Sequence, residues 1–209
     1  MPAWLVFSVG FLAQALFSAR VLVQWIMSEK ARRVLSPTVF WVLSLMASVL
    51  LCVYGCLRED FAIILGQLIS YYIYIWNLNI KNVWHKVPGA LRRLLLLLPC
   101  VLVAFAAGNA AEVAERLFHN SDIPLWMLVY GSAGQVIFTF RFIYQWLYSR
   151  RRGESELPVG FWVISLVGSA VIVSYGALRL DPVLILGQAV GLIAYSRNLV
   201  LLRKAKGSK

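Results

Sequence analysis

Residues 14–78 of this chain return as residues 135–199 at a constant offset of 121, without a gap, and 25 of the 65 aligned positions are identical. Much of what returns is polar. Gln14, Arg20, Gln24 and Ser28 recur as Gln135, Arg141, Gln145 and Ser149, and Pro37, Phe40, Trp41, Ser44 and Ser48 as Pro158, Phe161, Trp162, Ser165 and Ser169. Tyr54, Arg58, Asp60, Gly66, Gln67, Tyr74 and Asn77 recur as Tyr175, Arg179, Asp181, Gly187, Gln188, Tyr195 and Asn198. A shared apolar composition would match Leu with Leu; it would not match Arg, Gln, Asp and Asn at one offset. The chain is an internal duplication, and its fold must combine two like units.

Both units belong in a bilayer. Hydrophobic residues make up 61% of the chain, the mean hydropathy is +0.76 and only 14% of residues are charged. A soluble domain of 209 residues lacks the interior to hide that much apolar surface. The net charge of +11 falls in short clusters between apolar runs. That pattern fits loops facing anionic headgroups and argues against nucleic acid as a partner. Cys52, Cys56 and Cys100 lie within apolar runs and read as small buried hydrophobes rather than a disulfide framework. The first apolar run lacks a basic leading region and continues through Arg20 to Met27, so it reads as a span and not as a cleaved signal.

The spacing predicts seven crossings of a hydrocarbon core about 30 Å thick. They run from about Ala3 to Met27, from Pro37 to Leu57, from Asp60 to Ile80, from Leu91 to Ala107, from Pro124 to Tyr148, from Val159 to Leu178 and from Pro182 to Leu202. The polar segment Asn109 to Asp122 follows the fourth. The expected architecture is an all-α membrane protein of 3+1+3 helices. Residues 1–80 form the first three-helix repeat, 81–122 a linker helix and loop, and 123–209 the second repeat with a basic tail. Three crossings plus one make both repeats enter from the same side, as parallel repeats. Fourteen Lys and Arg residues then fall on one side of the membrane and three (Arg58, Arg116, Arg179) on the other. The positive-inside bias places the N-terminus outside and the C-terminus in the cytoplasm.

Three arginines lie within the spans: Arg20, Arg141 and Arg197. No Asp or Glu is expected at their depth, and an unpaired charge there costs about 2.5–3.5 kcal/mol on insertion scales. Either they snorkel to the headgroups or they await an anion; guanidinium forks match phosphate oxygens well. Gln24 and Gln145 share helix faces with Arg20 and Arg141 at i, i+4 spacing. Tyr74, Asn77, Tyr195 and Asn198 are expected near that depth, and Gln67 and Gln188 near the outer face. These groups either contact a ligand or bond the helices to one another. Trp25, Trp41, Trp146 and Trp162 read as interfacial belt residues. Asp60 and Asp181 are possible proton-coupling carboxylates or, more simply, helix N-caps.

The combined pattern Phe17-x-x-Arg20-x-x-x-Gln24-Trp25, Pro37-x-x-Phe40-Trp41-x-x-Ser44-Leu45, Tyr54-x-x-x-Arg58-x-Asp60, Gly66-Gln67 and Tyr74-x-x-Asn77-Leu78 resembles the lipid-A-biosynthesis N-terminal domain family. The second copy carries it again and ends Tyr195-Ser196-Arg197-Asn198-Leu199, where the first has Trp76 in place of arginine. The resemblance implies a relation to PQ-loop and SWEET-like membrane proteins, with a three-helix bundle per copy. The glycosyltransferase activity behind the family's name needs a large soluble nucleotide-sugar domain, and the segments outside the spans are short. No phosphate-binding glycine loop or nucleophile elbow is present, and His85 and His119 are isolated. No catalytic residue, metal ligand or cofactor is therefore expected. The favoured expectation is an inner-membrane transporter or flippase of a lipid-linked or phosphorylated saccharide: a polyprenyl-phosphate sugar or a lipid A precursor. In it Arg20, Arg141 and Arg197 bind phosphate, while Gln24, Gln145, Asn77, Asn198, Tyr74, Tyr195, Gln67 and Gln188 contact substrate. The alternatives are a non-catalytic membrane anchor for a separate glycosyltransferase and a transporter of neutral sugars, which would leave the arginines unanswered.

Overall fold

The computed structural model describes residues 3–58, 60–108 and 124–207. Among them the regular structure is helical: α1 (Ala3–Ala31), α2 (Thr38–Leu57), α3 (Phe61–Ile80), a 3-10 turn (Trp84–Lys86), α4 (Gly89–Gly108), α5 (Leu125–Arg152), α6 (Val159–Leu178) and α7 (Pro182–Gly207). Pro37, Pro124 and Pro158 each stand at the N-cap, in extended or polyproline-like backbone. Here the ring fixes φ and the following residue opens the helix. The expected segment Asn109 to Asp122 and Glu59 lie outside the described residues. Helices α1, α5 and α7 run about one turn beyond their apolar stretches, which matters for Arg197 below.

Among the described residues, five helices are long and apolar enough to cross a membrane: Trp4–Ala31, Thr38–Leu57, Ile63–Ile80, Val159–Leu178 and Pro182–Lys204. The sequence predicts seven. Helix α5 falls short on average hydropathy because Gln135, Thr139, Arg141, Gln145 and Ser149 occupy it, yet all five are buried, while Val129, Val136, Phe140 and Leu147 on its outer face are exposed. An apolar exterior around a polar interior inverts the pattern of a soluble helix and suits a helix surrounded by lipid. This is a membrane protein.

The helices close a ring in chain order: α1 packs on α2, α2 on α3, α3 on α5, α5 on α6, α6 on α7, and α7 returns to α1. Helix α4 lies outside the ring against α3. Pro99 within it has no N–H, which orphans the carbonyl of Leu95 one turn earlier. The Tyr71 hydroxyl of α3 donates to that carbonyl at 2.9 Å, and Tyr72 donates to the carbonyl of Leu96 at 3.1 Å. The kink-prone position of α4 is thereby its anchor to the bundle.

Aromatic side chains fill the middle of the ring. Phe40, Trp41, Tyr74, Phe142, Phe161, Trp162 and Tyr195 form one continuous cluster with edge-on and tilted contacts. Trp41 and Trp162 are fully buried within it. The expectation of a headgroup belt is therefore wrong for these two: position 41 and its repeat face the ring interior, where neither lipid nor water reaches.

Candidate functional site

A small cavity lies between the two repeats, bounded chiefly by α1, α3, α5 and α7, with Arg20 and Arg141 in its wall and no Asp or Glu among its lining residues. Its volume is about 40 Å³. That is room for on the order of three waters, the scale of a compact anion and far short of a saccharide.

Arg20 and Arg141 are 3% and 2% exposed, so neither snorkels to water. Each follows a phenylalanine by one helical turn, and each guanidinium lies over rings. Arg20 is 4.4 Å from the Phe17 centroid and 5.0 Å from Phe40; Arg141 lies over Phe138 and 5.8 Å from Phe161. Both face Phe142, at 5.5 and 4.5 Å. Such contacts contribute about 2 kcal/mol when desolvated, but they satisfy no N–H. Arg20 Nη1 donates to Ser44 Oγ at 2.6 Å. Arg20 Nε, Arg141 Nε and Arg141 Nη1 are buried with no hydrogen-bond partner among the described residues. Two like charges share one aromatic ring, and three of their buried donor nitrogens have no partner among the described residues.

Arg197 is placed differently. Because α1 continues to Ala31, Glu29 reaches the level of α7 and takes hydrogen bonds from Arg197 Nε and Nη2. The pair is partly exposed, at 41% and 33%, and Arg197 does not line the cavity. The expectation that no carboxylate accompanies the three arginines fails here, since Glu29 follows the apolar run but stays in its helix. At the equivalent place in the other half, Trp76 packs edge-on against Trp146 at 6.3 Å.

The amides expected to contact substrate bond each other. Gln24 and Asn198 exchange two hydrogen bonds of 3.0 and 3.1 Å between α1 and α7. Gln145 and Asn77 do the same between α5 and α3. Gln24 also reaches Ser28 Oγ and the carbonyl of Leu35, and Gln145 reaches Ser149 Oγ and the carbonyl of Glu156, tying each following loop to its helix. Ser155 Oγ donates to Asn77 Oδ1 at 2.8 Å and meets Ser36 across the repeats. These four amides close the basic end of the ring and leave the cavity to others. Tyr74, Tyr195, Gln67 and Gln188 do line it.

The opposite end is closed by crossed clusters. Asp60 Oδ1 accepts from the Ile63 N–H and caps α3, while its Oδ2 accepts from Tyr175 and Arg179 of the other repeat, at 2.9 and 2.7 Å. Asp181 caps α7 through the Val183 and Leu184 N–H groups and accepts from Tyr54 at 2.9 Å, with Arg58 at 3.9 Å. The capping role of both aspartates is present. Burial works against the Arg179 charge, but the Tyr175 hydroxyl and the Asp60 carboxylate outweigh it and hold the guanidinium above its ordinary range.

Gln14 and Gln135 also line the cavity and escaped the sequence-based selection. A Cβ at Gly187 would meet the Gln14 carboxamide and one at Gly66 that of Gln135, so the amide would have to move. The signal was available: a glycine and a glutamine, each kept at offset 121 in a different helix.

A profile of the lipid A biosynthesis N-terminal domain matches this chain twice, at residues 9–79 and 130–200. The chain belongs to the lipid A biosynthesis N-terminal domain family. Both matched segments contain a cavity arginine, a capping aspartate and an interlocking Gln and Asn. The chain is similar to the lipid-A-disaccharide synthase of Chlamydia pneumoniae, with 32% identity over 213 residues, 98% of this chain and 35% of the relative. The synthases of Chlamydia caviae and Chlamydia abortus are each 30% identical, over 98% and 96% of this chain and 34% and 33% of the relatives. The chain thus spans about a third of the curated relatives it matches. No solved structure matches.

Proposed function

We propose that this membrane protein of the lipid A biosynthesis N-terminal domain family binds and moves an anionic glycolipid intermediate, a lipid-linked or phosphorylated saccharide, across the bacterial inner membrane. The observation that carries the proposal is the pair Arg20 and Arg141: buried, equivalent in the two repeats and facing one cavity, with Arg20 Nε, Arg141 Nε and Arg141 Nη1 unpartnered among the described residues. A phosphate brings the acceptors those donors lack and the charge that relieves their repulsion. At about 40 Å³ the cavity is too small for a saccharide, which requires the repeats to part. Rocking of one repeat against the other would open the ends alternately, releasing the crossed Asp60 and Asp181 clusters on one side and the Gln–Asn pairs on the other. The clustered basic residues support an N-terminus in the periplasm and a C-terminus in the cytoplasm.

Purified protein in liposomes, given a labelled polyprenyl-phosphate sugar, should accelerate its transbilayer movement. Arg20→Gln and Arg141→Gln should each reduce the rate at least about tenfold, the loss expected for one charge-assisted contact. Unchanged movement in the double variant would remove both arginines from the mechanism.

A second reading is favoured by the similarity to proteins named lipid-A-disaccharide synthase. In it the chain is a non-catalytic membrane subunit that presents the lipid to a separate glycosyltransferase. Co-purification with such an enzyme, with lipid binding but no movement, would select it.

A further inference from the structure

The two repeats differ at one matched pair. In the second, Ser169 Oγ donates to Gln188 Oε1 at 2.8 Å, joining α6 to α7. In the first, the equivalent Ser48 Oγ and Gln67 Oε1 are buried and neither has a hydrogen-bond partner among the described residues. Ser48 is fully buried and Gln67 is 8% exposed. Both line a second cavity of about 240 Å³ between α2, α3 and α4. Apart from these two, its wall is largely hydrocarbon: Val49, Val53, Leu57, Leu68 and Leu98. Gln67 lines the central charged cavity as well, so the two spaces adjoin at one carboxamide.

The asymmetry is built into the sequence. Cys52, Cys56 and Tyr71, which line this space, are replaced by Val173, Ala177 and Leu192 in the second repeat. Helix α4, which supplies Leu98 and Pro99 to the wall, is held on the first repeat through Tyr71 and Tyr72.

Building on the anion site proposed above, we infer that the lateral cavity between α2, α3 and α4 receives one hydrocarbon chain of an anionic amphiphile, whose phosphate lies on Arg20 and Arg141. The ligand class is then a phosphorylated lipid, and a free sugar phosphate is a poor ligand. The central space is charged, the adjoining space is apolar, and the unpartnered Gln67 stands in the wall that both share. The closed Ser169–Gln188 pair shuts the corresponding route in the second repeat.

The test uses the 209-residue chain in lipid nanodiscs. The probe is a saturated alkyl phosphate of about twelve carbons with a diazirine at the chain end; methyl phosphate serves as the chainless control. Photo-cross-links should map to residues 49–57, 68–71 and 95–99. Val53→Trp, which fills the lateral cavity, should reduce them about tenfold and leave methyl phosphate binding unchanged, which also reports that the variant is folded. Arg20→Gln with Arg141→Gln should abolish both signals. Cross-links that map equally to residues 170–178 and 189–192, or that persist with Val53→Trp, would overturn the lateral site while leaving the phosphate site standing. Lateral cross-links indifferent to the double arginine variant would also overturn it, since the cavity would then hold membrane lipid without the anion. Absence of methyl phosphate binding in the wild type would refute the central anion site itself, a separate failure.

Discussion

At residue scale the decisive contrast lies between buried polar groups that are satisfied and those that are not. Gln24 and Asn198 are satisfied by each other, so truncating one strands the other. Gln24→Leu or Asn198→Leu should each cost about 1–2 kcal/mol, and the double variant should cost less than the sum of the two, as thermal unfolding in detergent can check. Arg141 behaves in the opposite way. Two of its nitrogens are buried with no hydrogen-bond partner among the described residues, so Arg141→Met should raise the unfolding temperature of the ligand-free protein, by an amount worth about 1–3 kcal/mol, while abolishing phosphate binding. A fall in both would assign Arg141 to packing. Sequence reasoning singled out Arg20 and Arg141 because charge in an apolar span is legible without coordinates. It grouped Arg197 with them because an apolar run ends before its helix does, and the extra turn of α1 brings in Glu29. It assigned the four amides to substrate because one-dimensional depth cannot show that residues 174 positions apart face each other.

At the scale of elements, Asp60 and Asp181 do two tasks at once. Each caps its own helix and accepts hydrogen bonds from the tyrosine of the other repeat, so helix starts and repeat contacts are coupled. Asp60→Asn with Asp181→Asn keeps much of the capping capacity but removes the charge that holds Arg58 and Arg179. In a variant lacking the native cysteines and carrying Ser70→Cys in the central cavity, this pair should speed maleimide labelling from the side of the Asp60 and Asp181 clusters by about tenfold. An unchanged rate would show that the clusters do not close the cavity. The helices themselves were legible: Pro37, Asp60, Pro158 and Asp181 mark the starts of α2, α3, α6 and α7 in the sequence as in the structure. What escaped was the attachment of α4 through the carbonyl that Pro99 leaves free, because a missing N–H is visible in sequence and the hydroxyl that exploits it is not.

For the whole molecule, the ring depends on close approach at matched glycines. A side chain at Gly66 would meet Gln135, and one at Gly187 would meet Gln14, in both cases across the repeats. Gly66→Val and Gly187→Val should each destabilise by about 1–3 kcal/mol and reduce phosphate binding, because the displaced Gln135 and Gln14 line the cavity that the arginines face. Gly89→Val, with nothing within 4 Å, is the control and should leave both unchanged. The duplication announced itself at one sequence offset. The cavity between its copies did not, since its walls come from four helices that no local pattern brings together.

Tyr54 reaches Asp181 and Tyr175 reaches Asp60; Gln24 meets Asn198 and Gln145 meets Asn77. In every case a position in one copy grips the counterpart of its own neighbour in the other, which is the bonding rule of an isologous dimer. A gene encoding half of this chain would already specify both sides of that handshake. One chain carrying both halves can differ on its two flanks, and the unmatched Ser48 and Gln67 are where these two do.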